Sequence, residues 1–155
     1  MHRAFVLALA LWLAAPAFAA GNFTWDRAAN IKDAAERLAG LQKERGALAA
    51  YKFISACYGT HMLASKYTQG LEACIAQDYM LTEVMTSIYA RIPAEKRKEM
   101  GTVDPDQLAR GMSQRVGAAL TQYKMTEADG LALKKMIDQH GLPVFAKQTL
   151  PKASE

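Results

Sequence analysis

Cys57 and Cys74 are the only cysteines in this chain of 155 residues, and their spacing constrains the fold more than any other feature. Between them lies Ser65-Lys66-Tyr67-Thr68-Gln69-Gly70, a polar stretch that reads as a turn between two apolar-periodic segments. Two antiparallel helices folded back at such a turn bring level the residues whose numbers sum to about 131. Cys57 and Cys74 meet that condition, so the spacing predicts a disulfide that pins a helical hairpin. By loop entropy it would contribute on the order of 3 kcal/mol. The alternatives are redox and metal chemistry. Redox couples usually show close Cys-x-x-Cys spacing, which is absent here. A metal site could recruit His61, one helical turn past Cys57, but a closed zinc site needs a fourth ligand. Met62, Met80 and Met85 would suit soft copper, yet methionine at helical spacing is usually core filling. The reading is structural, with no metal or cofactor assigned.

A disulfide requires an oxidising compartment, and the N-terminus supplies a route to one. His2 and Arg3 precede an apolar run from Ala4 to Ala15, followed by Pro16 and the triplet Ala17-Phe18-Ala19. That run is shorter than the roughly 20 residues that span a bilayer, so residues 1–19 read as a cleaved export signal. Cleavage falls between Ala19 and Ala20, and the expected location is the periplasm, with secretion as the alternative. The rest, residues 20–155, is one domain ending in a loose tail. Arg3 is the only charge removed, leaving 18 basic against 15 acidic residues. This balance is too mild for a nucleic-acid binder, and no later segment resembles a transmembrane span.

The mature chain reads as all-α, a small bundle of about five helices. Thr24 is the expected N-cap of a helix over Phe23 to Gly40, with Ile31, Ala34, Ala35 and Leu38 at helical spacing. A weak joint between Gly40 and Gly46 leads into a second helix from Gly46 to about Ser65. Ala47, Ala50, Ile54, Cys57 and His61 form one stripe of it, and Leu48, Tyr51, Ser55, Tyr58 and Met62 the next. The third helix, about Gln69 to Ile92, places Leu71, Cys74, Asp78, Leu81, Met85 and Ile88 on one seam. Pro93 stops it before a short charged turn, Ala94 to Met100. Asp104-Pro105-Asp106-Gln107 and Thr126-Glu127-Ala128-Asp129 then read as two helix starts. His140-Gly141-Leu142-Pro143 reads as a helix end with Gly141 left-handed, ahead of a short helix to about Thr149.

Asp78 is the acidic residue on the third helix's apolar seam. The register that pairs the cysteines sets it opposite Phe53, beside Lys52 and Tyr51. An unpaired carboxylate there would be costly, so it should bond Lys52, a tyrosine hydroxyl or a basic residue of the helix after Asp104. Its structural role would be a polar pin; its functional role would be to line a ligand cleft rimmed by Tyr79 and His61. The cluster Arg91, Lys96, Arg97 and Lys98 is first a solvated charge run, and alternatively a peripheral patch for an anionic envelope surface. No phosphate loop, nucleophile elbow or His-Glu-x-x-His helix is present, so no catalytic residue is assigned. The leading expectation is a non-enzymatic binding or accessory protein for a periplasmic protein or small ligand. The alternatives are a metal or redox carrier or enzyme using Cys57, His61 and Asp78, an immunity- or inhibitor-type protein, and the envelope-surface binder.

Overall fold

In the computed structural model, which describes residues 23–150, every residue from Leu71 to Thr82 is buried. That run belongs to α2 (Gln69–Ala90), whose apolar residues face all directions rather than one. A helix of that kind must sit at the centre of a bundle. The other elements are α1 (Arg27–His61), α3 (Ala94–Glu99), α4 (Pro105–Gln122), α5 (Glu127–Met136) and α6 (Leu142–Thr149), with a π-helical turn at Ile137–Gly141 joining the last two. α1 and α4 pack on α2, while the π turn and α6 close the remaining side against α1 and α2. The described residues contain no strand, and the architecture is an all-α bundle. Ile31, Leu38, Ile54, Ile75, Met80, Ile137 and Phe145 fill its core. The expected signal segment, residues 1–19, and the tail from residue 151 lie outside the described residues.

The hairpin register is as the spacing predicts. Cys57 and Cys74 are bridged, with Cα atoms 5.7 Å apart. The end of α4 secures the turn between α1 and α2: Tyr123 Oη donates to the Ala64 carbonyl (3.0 Å) and Gln122 Nε2 to that of Met62 (2.7 Å). α1 therefore stops at His61 rather than near Ser65.

Four local expectations are corrected. The N-cap of α1 is Asp26, which accepts from Ala29 N–H at 3.0 Å, not Thr24. Phe23 and Trp25 are committed instead to contacts with Tyr67. The helix passes through Gly40 unbroken and kinks only at Gly46, where φ is 79° and ψ 173°. The second stripe of α1 divides, because Leu48 and Ser55 face solvent while Tyr58 turns inward. Gly141 is not left-handed: its φ is −98°, and the chain continues helically through the π turn. Pro143 has no N–H and its ring would crowd the preceding turn of an α-helix. The wider π turn accommodates it, with Leu142 N–H donating to Ile137 O, five residues back. Glycine is needed at 141 for close packing, since a Cβ there would lie 2.7 Å from Met80 Sδ and 2.8 Å from Ile31 Cγ2.

The Asp104 and Thr126 starts form as expected. Thr126 and Asp129 make a reciprocal capping box, and the Thr126 backbone N–H, followed by its hydroxyl, holds the Asp129 carboxyl below its usual range. The kink yields a prediction. Gly46→Ala places a Cβ in a backbone region that only glycine adopts freely, so it should cost about 1–3 kcal/mol. Chemical denaturation with an unchanged m-value would register this; a variant as stable as the parent would mean that the two halves of α1 straighten without cost.

Candidate functional site

Asp78 is fully buried, at the centre of α2. Its partner is Arg115 of α4, which binds it through two parallel hydrogen bonds, Nε to Oδ2 at 2.8 Å and Nη2 to Oδ1 at 2.7 Å. This fork-to-fork geometry is the strong form of a charge-assisted pair. Thr82 Oγ1 adds a longer contact to Oδ1 at 3.5 Å. Hydrogen bonding to Asp78 raises the Arg115 pKa further above its usual value, outweighing desolvation.

Two tyrosines of α1 complete the cluster. The Tyr58 and Tyr51 hydroxyls are both buried and make no aligned hydrogen bond with the described residues. Burial raises both pKa values, and the negative charge of nearby Asp78 adds to the rise; Tyr51 is pushed up to about 12. Asp78 is thus sealed in the core behind Arg115, whose side chain is 42% exposed. Arg115 and Tyr51 both line an open groove of about 580 Å³, together with Leu48, Val103, Leu108 and Arg110. Leu48 and Val103 are large apolar side chains left 69% and 44% exposed there. The groove therefore combines apolar walls with two guanidinium groups.

The other expected residues lie elsewhere. Lys52 is exposed and does not meet Asp78, and Phe53 is also exposed; the kink at Gly46 leads into a second half of α1 whose buried face carries Ala50, Ile54 and Tyr58 instead. Tyr79 opens on a separate groove between α2, α4 and α5. There Lys134 Nζ lies 5.1 Å from its ring centroid, and burial raises the phenol's pKa. His61 sits beside the disulfide, grouped with Cys57 and Cys74 and not with Asp78. Arg91, Lys96 and Lys98 are exposed. Arg97 instead turns inward, donating to the carbonyls of Ile92 (2.6 Å) and Tyr89 (3.2 Å) at the end of α2.

A second buried carboxylate has no counterpart among the residues that sequence reasoning singles out. Glu72, fully buried in the first turns of α2, accepts from Trp25 Nε1 (2.9 Å), Arg27 Nε (2.5 Å) and Asn30 Nδ2 (3.3 Å). It ties the start of α1 to the start of α2. The signal is present in α2 itself: a helix apolar on every face through its central stretch buries the polar residues that stretch carries.

Comparisons with protein-family models, with curated proteins and with solved structures find no match to this chain. Among the described residues, no helix is long and apolar enough to cross a membrane.

Proposed function

We propose that this chain is an exported, non-enzymatic binding protein, and that the groove over Arg115 is where it takes its partner. The observation that supports this reading is the groove's composition beside a buried anchor. Asp78 fixes the Arg115 guanidinium from behind through two hydrogen bonds and leaves its outer edge facing the groove. A guanidinium so held loses little conformational freedom when it receives a second carboxylate or a carbonyl. Arg110 supplies positive charge that no acidic side chain among the described residues neutralises through an ion pair. Leu48 and Val103 offer apolar surface that folding leaves uncovered. The partner chemistry that fits is an apolar segment carrying an acidic group.

The test uses residues on the groove wall that the fold does not need. Leu48→Asp and Arg110→Glu reverse the groove's apolar and basic character at exposed positions, so the melting temperature should stay within about 2 °C of the parent. Affinity capture from the periplasm with the parent should retain a specific partner that both variants lose. Equal capture by parent and variants would place binding elsewhere on the surface. The envelope-surface alternative is weakened by Arg97, whose engagement at the end of α2 removes it from the cluster of Arg91, Lys96 and Lys98.

A further inference from the structure

The two sulfurs of the disulfide and an imidazole nitrogen of His61 all lie within 4.8 Å of one another. Cys57 and His61 stand one turn apart on α1, and Cys74 faces them from α2. The imidazole packs directly on Gly70: a Cβ there would lie 2.1 Å from its Cε1 and 2.5 Å from its Nδ1, so glycine at that position provides its seat. The His61 carbonyl accepts from Tyr123 Oη at 3.3 Å, which fixes the same end of α1. Cys57 and His61 are half-buried, and Cys74 is buried.

We infer that Cys57, His61 and Cys74 form a zinc-binding site that the disulfide keeps closed and that reduction opens. A dithiol reductant delivers two electrons and two protons to the bridge, becomes a disulfide itself, and leaves two protein thiols. Zn²⁺ then displaces the two thiol protons and accepts two thiolate lone pairs and one from the neutral imidazole. Around tetrahedral zinc, ligand atoms stand roughly 3.4–3.8 Å apart. Once the bridge is cut, the sulfurs separate to that spacing by side-chain rotation, and the imidazole nitrogen, within 4.8 Å of both, needs to move by no more than about an ångström. Three protein ligands leave the fourth position to solvent, the arrangement of an open zinc site rather than a sealed one. Asp78 does not join the donor set, because its carboxylate is engaged by Arg115.

This inference is independent of the Arg115 groove. It is tested on the full exported chain, oxidised or reduced under anaerobic conditions, with Zn²⁺ as ligand and Co²⁺ as spectroscopic probe. The reduced chain should bind one Zn²⁺, and its Co²⁺ form should show thiolate-to-metal charge transfer with the visible bands of tetrahedral cobalt. The oxidised chain should bind neither ion. His61→Ala, reduced in the same way, should bind Zn²⁺ about tenfold or more weakly. Far-UV circular dichroism guards against an unfolded dithiol: helix lost on reduction should return with one equivalent of Zn²⁺. The inference is overturned if the reduced chain binds no stoichiometric metal, if His61→Ala retains full affinity, or if lost helix is not restored.

Discussion

Replacing Arg115 with methionine should destabilise the protein by about 3–5 kcal/mol, because it leaves the Asp78 carboxylate buried and unpaired. Thr82 at 3.5 Å is too distant to compensate, and the neutral Tyr58 hydroxyl beside the carboxylate cannot replace two charge-assisted bonds. Asp78→Asn should cost less. It removes the two charge-assisted bonds, but the Arg115 side chain, already 42% exposed, retains access to water. The double variant Asp78→Asn, Arg115→Met should recover part of the loss suffered by Arg115→Met alone, since no buried charge remains. Urea denaturation of the parent, the two single variants and the double variant yields the coupling energy directly. Equal and additive losses from the two substitutions would show that the pair does not act as a unit. The same series separates anchoring from binding. Arg110→Glu should impair partner capture at unchanged stability, whereas Asp78→Asn should impair both.

The local physics of the chain is legible wherever a residue's role depends on near neighbours. The Asp104 and Thr126 caps are set within one helical turn, and the cysteine register follows from a single turn and helical rise. The cost of a buried carboxylate narrows the partner of Asp78 to three classes, and α4 supplies it. What stays hidden depends on which elements surround α2. Apolar spacing gives the third helix one seam, as befits a helix at the edge of a core. It is covered on all sides, so Glu72, Gln77, Asp78 and Thr82 are all buried. Lys52 is excluded only by knowing how the second half of α1 sits after the kink at Gly46. The π turn is hidden because Gly-Leu-Pro carries the same local signature whether a chain stops or widens. Packing decides between them, and here Met80 and Ile31 press on Gly141 closely enough to hold the chain on its helical course.

Alkaline pH should unfold this protein cooperatively within about two units above pH 10, and its buried tyrosines are the cause. Burial raises the pKa of Tyr58 and of Tyr67 well above the usual phenol value, and the charges of Asp78 and Glu72 respectively add to it. Burial likewise brings Tyr51 to about 12. A raised acid in the folded state means that the unfolded chain releases its phenol protons near pH 10 while the folded chain keeps them. The stabilisation is therefore fully present below pH 10 and is lost as pH rises towards the folded values. Tyr58 and Tyr67 would each lower stability by about 1.4 kcal/mol per pH unit across that window, with a smaller share from the more exposed Tyr51. Parallel titrations of phenolate absorbance and far-UV circular dichroism read this out. Part of the phenolate signal should emerge only as the helices melt, in one step. Tyr58→Phe removes a buried hydroxyl that has no aligned partner, so it should move that step to higher pH and leave neutral-pH stability level or raised. If all six tyrosines ionised smoothly near pH 10 with the helices intact, the polar cluster behind Arg115 would have to be open to water, and the groove's anchor would not be the sealed pair on which the proposed binding role depends.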